Sequence, residues 1–478
     1  IATGLIKLGV RPGDRVGMLM ANYPEFVPVK FAIARAGAIA VPFNYLYRTA
    51  ELGFVLADSG CRVLITMSGF SALDYQGMLD EIVPQWDSAD FSLRAPDHLP
   101  DLRHVVVLDT DGRARPGVLT VSDLTGTAEA ASHVAVAPDA PGDMLYTSGT
   151  TGEPKGVIQT HDNMLSILEN VADAQLFTDR AREGGAFLFL PLAHSFGRMV
   201  EFGGAFYTCK VVLSSIATVA EDLGLTRPGF VPAAPRVFER VYGKITSGVA
   251  SAPPIRQKLF HWAIGVGKQS IPFRQKNRPL PFALGLKFAL ADKLVLGKIR
   301  AKLGMDRMHA LMSGSAPLPR EVAEFFAGAG LVVLEAYGLT ETCPGLTTNR
   351  FDNWRIGTVG PAIKGVQLQL AADGEILAKG PNVVSGYLNR PDATADAWDE
   401  QGWFHTGDIG ELDPDGHLRI TDRKKDLIKT SGYQVWPREV EEVLATHPAV
   451  LEVGVAAVPD EQKGEAVRAY VVLRPGHT

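Results

Sequence analysis

Tyr146-Thr-Ser-Gly-Thr-Thr-Gly-Glu-Pro-Lys-Gly156 decides how this chain is read. Four Ser and Thr hydroxyls, three glycines and one lysine fall within these eleven residues. Glycine lets the backbone turn its N–H groups toward an anion, and the hydroxyls and Lys155 add further donors. Met144-Leu145-Tyr146 reads as a strand end and Val157-Ile158 resumes an apolar run, so the pattern predicts a strand–loop–strand clamp for phosphate. It is not a Walker A loop. That motif sets Gly-Lys-Ser/Thr at a helix start, whereas here Pro154 precedes Lys155 and Gly156 follows it. A plain Ser/Thr/Gly surface loop would share the composition but not the ordered arrangement.

The 478 residues suffice for roughly three units of ordinary domain size. A hydrophobic content of 46% against 21% charged residues predicts a globular protein with a large core. The net charge of −6 gives no reason to expect nucleic acid as a general partner. Cys61, Cys209 and Cys343 are scattered and show no Cys-x-x-Cys spacing, which argues against a disulfide framework or a zinc site and fits a reducing cytoplasm. No apolar run approaches the ~18–20 residues that span a bilayer. Both ends, Ile1 to Leu8 and Pro475 to Thr478, read as cut, and the expectation is a fragment.

Helix and strand patterns alternate over the first 140 residues. Val16–Met20, Ala38–Pro42, Cys61–Thr66 and His104–Asp109 read as strands, and Pro24 to Gly37 as an amphipathic helix. This alternation predicts layered α/β structure with a largely parallel sheet. Thr125 to Pro141 reads as a connector. The charged stretch Asp422-Arg-Lys-Lys-Asp426 marks a boundary between a large unit, 1–421, and a small α+β unit, 422–478, with a helix from Pro437 and two strands. From Ser251 to Lys302 eleven Lys and Arg stand against one acid, Asp292, a net of +10 interleaved with Phe260, Trp262, Phe273, Phe282 and Phe288. Two readings stay open: a solvated helical hairpin, or peripheral contact with an anionic membrane.

Four further clusters could carry chemistry. Ser313-Gly-Ser-Ala-Pro-Leu318 is a turn of small residues against which a flat ring could lie. Tyr337-Gly-Leu-Thr-Glu-Thr342 joins an aromatic face, a hydroxyl and a carboxylate; Glu341 could serve Mg²⁺ on ATP, or could cap a helix. Gly402-Trp-Phe-His-Thr-Gly-Asp408 sets a carboxylate after a turn, suited to both hydroxyls of a ribose. Thr421 to Asp426 and Lys429 add cations. His194 either lines the site or is a satisfied core histidine. Arg198 and Glu201 pair on a helix by their spacing. Nothing around Cys343 argues for a nucleophile.

Together, the phosphate loop, the Tyr337–Glu341 cluster and the Trp403–Asp408 cluster resemble the adenylate-forming superfamily: acyl-CoA synthetases, luciferases and the adenylation domains of peptide synthetases. The resemblance runs from about residue 5 to residue 475. Gly402 to Gly410 and Asp422 to Lys425 are similar to the fatty acyl-CoA synthetase signature, and Pro235-Arg-Val-Phe-Glu-Arg-Val-Tyr242 points to the long-chain branch. The resemblance implies a large N-terminal domain of layered α/β subdomains with a β-barrel-like part, and a small mobile α+β C-terminal domain. It also implies ATP, Mg²⁺ and coenzyme A as cofactors or co-substrates and a medium- or long-chain fatty acid as substrate. The cysteine usage points to a cytoplasmic location, with peripheral membrane association through 251–302 left as the open alternative. The oligomeric state stays open, a homodimer included.

By the same resemblance Thr147, Ser148, Gly149, Thr150, Thr151, Gly152 and Lys155 hold the β- and γ-phosphates. Gly314, Ser315, Ala316, Pro317, Tyr337 and Gly338 hold adenine, with Thr340 on the α-phosphate and Glu341 on the metal. Asp408 and Arg423 bind ribose, Lys425 is the hinge, Lys429 and Gly432 serve the thioester stage, and His194 joins the catalytic set. The acyl pocket is expected from the stretches 200–207, 230–236 and 312–317, with Gly203 and Gly204 leaving room for a long chain. The family's C-terminal catalytic lysine, in a Gly-Lys context after proline, has no counterpart before Thr478. The expectation is therefore crippled adenylation with surviving thioester formation in the chain as read. An aryl-CoA or carrier-loading ligase, or a non-catalytic acyl or nucleotide binder, are the alternatives. A dinucleotide oxidoreductase is excluded because no Gly-x-Gly-x-x-Gly follows a strand.

Overall fold

Short runs of Val, Ile and Leu with no polar face become inner strands, because a parallel sheet must be covered on both sides. A computed structural model describes the chain apart from residues 89, 94, 95, 128, 148–152, 431, 432, 446, 461–463, 475, 477 and 478. Arg15–Leu19 (β1), Ile39–Pro42 (β2), Val63–Met67 (β3), His104–Leu108 (β4), Pro141–Thr147 (β5) and Lys155–Thr160 (β6) form a sheet in the order β4-β3-β1-β2-β5-β6. Only the β5–β6 pairing is antiparallel. All five residues of β3 are buried, as two covered faces require. The helix Phe26–Arg35 (α1) buries Phe26, Val29 and Ile33, spaced to share one face.

Strand β6 runs directly into His161–Asn170 (α2). Thr160 Oγ1 accepts from the Asn163 N–H at 3.1 Å, and Asn163 Oδ1 accepts from the Thr160 N–H at 3.0 Å. This reciprocal cap contributes about 1 kcal/mol and fixes where the β5–β6 hairpin ends.

Ser195–Phe206 (α3) opens a second layer. There Ala186–Leu188 (β7), Val211–Leu213 (β8), Phe230–Ala233 (β9), Ala310–Ser313 (β10), Val333–Tyr337 (β11) and Thr347–Thr348 (β12) pair in the order β8-β7-β9-β10-β11-β12. Pro235–Ala250 (α4), Pro254–Gln275 (α5), Phe282–Ala291 (α6) and Arg320–Gly328 (α7) build a core of their own around Phe187, Phe238, Phe260 and Phe326. The basic segment is thus helical, with α5 packed against α6. A Cβ on Gly204 would come within 2.2 Å of Val211 Cγ2, and one on Gly203 within 2.6 Å of the Phe177 ring. These glycines seat α3 against β8 and Phe177. They do not leave room for an acyl chain, and that expectation is corrected.

Gln367–Leu370 (β13), Glu375–Lys379 (β14), Phe404–Leu412 (β15) and Leu418–Arg423 (β16) form an open antiparallel sheet in chain order. Asp408 lies within β15, opposite Arg423 on β16, and not directly after the turn at Gly402. Beyond it Ile428–Thr430 (β17), Tyr433–Val435 (β18), Val450–Asp460 (β19) and Gly464–Leu473 (β20) pair in the order β18-β17-β20-β19, with Pro437–Ala445 (α8) against β19. Among the described residues no helix is long and apolar enough to cross a membrane.

Candidate active site

Antiparallel pairing of β5 and β6 sets Thr147 opposite Lys155. Ser148, Gly149, Thr150, Thr151 and Gly152 lie outside the described residues. The Lys155 ammonium stands 4.9 Å from the centre of the Tyr387 ring. Tyr387 donates its hydroxyl to Glu341 Oε1 at 2.8 Å. Glu341 sits in the single 3₁₀ turn Thr340–Thr342 after β11 and is 8% exposed. Burial pushes its pKa up, while the Tyr387 hydroxyl and the charge of Lys155 pull it back. Gln159 on β6 donates to the Thr340 carbonyl at 2.8 Å, tying this turn to the hairpin.

A second constellation faces a cavity of about 480 Å³. Tyr337, at the end of β11, donates to Asp408 Oδ2 at 2.7 Å, and Arg423 Nε lies 3.4 Å from Asp408 Oδ1. Both oxygens of this buried carboxylate are engaged. Burial raises its pKa, and the Tyr337 hydrogen bond and the charges of Arg423 and Lys425 oppose that. Ser315, Ala316 and Pro317 form another wall, with Ser315 in the left-handed region at φ 71°. Gly338 lines the same cavity. A Cβ there would fall 1.8 Å from the Pro344 carbonyl oxygen, so only glycine fits. Glu335, Arg438 and Glu441 complete the cavity from β11 and α8. Burial pushes the Glu335 carboxyl up to about 7, although the Leu318 N–H donates to it at 3.3 Å.

Next to this cavity, and sharing Ser315, Tyr337 and Gly338 with it, lies an apolar crevice of about 50 Å³. Phe196 and Met199 on α3, with Met312 and Gly314, line it. Of the stretches expected to form the acyl pocket, 312–317 contributes here, whereas 200–207 and 230–236 do not. The α3 residues that reach the crevice come from its first two turns.

Other expected residues are placed differently. His194 precedes α3, is exposed, and makes no side-chain hydrogen bond among the described residues, so it is not a satisfied core histidine. Partial desolvation by its neighbours pushes its pKa down. Lys425 is exposed at the turn Lys424–Asp426. Its neighbour Lys424 is the one held, 2.8 Å from both Asp373 and Glu375. Lys429 is exposed on β17, its backbone N–H bonded to Glu465, and lines neither space. Gly432 lies outside the described residues. Cys343 is fully buried and its thiol pKa is driven well up, so it is inert as a nucleophile.

Arg198 and Glu201 pair on α3 as their spacing predicts, and they do so buried inside the protein. Arg198 also meets Asp143 of β5 at 3.1 Å, and Asp143 meets Lys30 of α1 at 3.0 Å. This neutral quartet ties α1, α3 and the β5–β6 hairpin together. Lys30, Asp143, Gln159, Glu335 and Tyr387 escaped sequence reasoning. Only Tyr387 carried a local signal, being the one aromatic in the loop-forming run Gly380-Pro-Asn-Val-Val-Ser-Gly-Tyr387.

A family model described as AMP-binding enzyme matches residues 1–388, and one described as AMP-binding enzyme C-terminal domain matches residues 439–478. The chain is 35% identical over 454 residues to a long-chain-fatty-acid–CoA ligase of Mycobacterium bovis, covering 94% of this chain and 72% of that protein. It is 32% identical over 490 residues to the 3-[(3aS,4S,7aS)-7a-methyl-1,5-dioxo-octahydro-1H-inden-4-yl]propanoyl:CoA ligase of Rhodococcus jostii, covering 100% and 82%. Its fold matches that of O-succinylbenzoate coenzyme A synthetase from Bacillus subtilis in complex with ATP and magnesium ion. The TM-score is 0.69 at 26% identity, over 99% of this chain and 82% of that one. These likenesses extend over the sheets that frame the cavity as well as the C-terminal unit, and the chain belongs to the AMP-binding enzyme family of adenylate-forming enzymes as an AMP-forming acid–thiol ligase.

Proposed function

We propose that this protein is an ATP- and Mg²⁺-dependent ligase that joins a fatty acid to coenzyme A through an acyl-adenylate. The observation that carries the reading is Tyr337, Asp408 and Arg423 around one cavity, with Glu341, Tyr387 and Lys155 linked beside it. A carboxylate oxygen of the acid attacks the α-phosphorus of ATP, and the bond to pyrophosphate breaks. The thiolate of coenzyme A then attacks the acyl carbonyl, and AMP leaves with the bonding pair. Two anions must approach in the first step, so positioning and cationic stabilisation supply most of the acceleration.

In this reading Asp408 accepts from the ribose hydroxyls, exchanging the Tyr337 and Arg423 contacts it now makes. Tyr337, Gly338 and the turn 314–317 sandwich adenine, and Thr340 meets the α-phosphate. Thr147, Lys155 and the loop between them hold the outer phosphates. Mg²⁺ carried on those phosphates would neutralise charge; Glu341, a single buried carboxylate with one oxygen already held by Tyr387, suits a metal whose other ligands are phosphate and water. The large unit would run over 1–421 and the small one over 422–478, turning at Lys425 to bring Lys429 and Gly432 to the thioester step.

The fatty substrate is supported by the M. bovis relative and by the apolar lining of the crevice. A second reading, a compact ring-bearing acid, is favoured by the crevice volume of only about 50 Å³ and by the R. jostii relative. A long chain would have to displace Met199 or Met312, which as unbranched thioethers move easily. The test is AMP release with ATP and Mg²⁺ against a series of acids, with and without coenzyme A. Release that needs coenzyme A and peaks with long-chain acids supports the fatty-acid reading. A peak with aryl or bicyclic acids supports the compact one, and no turnover with any acid refutes both.

A further inference from the structure

The helix α6, Phe-Ala-Leu-Gly-Leu-Lys-Phe-Ala-Leu-Ala, has Lys287 as its one polar side chain, and a helix this apolar is ordinarily buried. Here only one side is covered. Leu284 and Phe288 pack on the core of the second layer, while Phe282 is 82% exposed, Leu286 59% and Leu290 50%. The exposed residues recur every four positions and make one outward stripe. On α5 of the same hairpin, Ile255, Leu259 and Trp262 are likewise exposed at helical spacing. Ten residues of α6 are too few to span a bilayer but suffice to lie in its surface.

Charge surrounds this stripe. Of the eleven cations in the segment, three are engaged: Lys268 with Glu324, Arg274 with the Ala327 carbonyl, and Arg300 with Asp292. The other eight, at 256, 258, 276, 278, 287, 293, 298 and 302, are exposed and have no ion-pair partner among the described residues. A second copy meeting this face about a two-fold axis would set like charge against like charge.

We propose that the α5–α6 hairpin docks this protein onto an anionic phospholipid surface. Phe282, Leu286 and Leu290 enter the headgroup boundary and the surrounding lysines and arginines meet lipid phosphates. The inference goes beyond the ligase assignment and does not depend on it, because vesicle binding needs neither ATP nor an acid.

Sedimentation with vesicles of phosphatidylcholine alone, and of phosphatidylcholine mixed with phosphatidylglycerol, tests it. Binding is expected only to the mixed vesicles and should fall with added salt. Reversing two loop cations, Lys276→Glu with Arg278→Glu, should weaken it by about tenfold or more. Phe282→Ser with Leu286→Ser should weaken it comparably, and neither pair touches a buried side chain, so melting temperatures should not move. Equal binding to both vesicle types, or none to either, would overturn the proposal. So would a concentration-dependent dimer that the Phe282→Ser/Leu286→Ser pair abolishes, since the face would then be covered by a second copy.

Discussion

Tyr387 donates its hydroxyl to Glu341 at 2.8 Å while the Lys155 ammonium stands 4.9 Å from the centre of the same ring. One aromatic side chain thus spaces a cation and a carboxylate that would otherwise neutralise each other directly. Each is left available to something that arrives between them.

The Tyr387 hydroxyl is one of the influences holding the Glu341 pKa down against burial. Its removal in Tyr387→Phe raises that pKa further, so a larger fraction of Glu341 is protonated at a given acidic pH. The acid limb of the pH–rate profile should move to higher pH, with activity on that limb lowered by about tenfold, the weight of one hydrogen bond to a charged group. Pyrophosphate release across pH measures this; an unmoved limb would separate Tyr387 from the reaction.

Asp408→Ala removes the acceptor at the middle of the larger cavity and leaves Tyr337 and Arg423 without their partner. AMP affinity should fall by about tenfold to a hundredfold, since charge-assisted hydrogen bonds contribute roughly 1.5–3 kcal/mol each. Tyr337→Phe keeps the ring and should lose only a few-fold. Calorimetric titration with AMP distinguishes the two.

Glu335 links stability to pH. Its folded pKa, about 7, lies above the 4.5 of an ordinary glutamate because burial favours the neutral form. Between those values the folded chain holds more protons than the unfolded one, so this residue's contribution to stability declines as pH rises from about 4.5 to about 7 and then levels. The step is on the order of 3 kcal/mol. Glu335→Gln keeps an acceptor for the Leu318 N–H and removes the titration. The variant should therefore gain on the wild type through that window in denaturant melts, and a constant difference would reject the assignment.

Arg198→Met strands Asp143 and Glu201 as buried carboxylates with only Lys30 to offset them. It should cost about 3–5 kcal/mol, whereas Arg198→Met with Glu201→Leu removes one charge of each sign and should recover much of that. Chemical denaturation of the two variants gives the comparison.

The sequence by itself determined which short stretches carry the polar residues of the candidate site. The run Tyr146–Gly156, the Tyr337–Glu341 run, Asp408 and Arg423 are each announced by residue types packed into a short stretch of their own. Glycine, hydroxyl and charge speak locally, through the backbone conformations and hydrogen bonds they permit. Alternating apolar runs likewise announced the parallel sheets, since inner strands must be apolar on both faces. Only the tertiary structure decided the rest. Lys30 and Arg198, which both meet Asp143, are 168 residues apart and Tyr387 is 232 from Lys155, so no local pattern could bring them together. Gly203 and Gly204 looked like spare room because a sequence shows that a side chain is missing and not what fills its place. Here Phe177 and Val211 fill it, and the acyl-side crevice is correspondingly small. The exposed stripe on α6 was hidden for the same reason: apolar residues tell which surface would rather leave water, and packing alone tells which of it did.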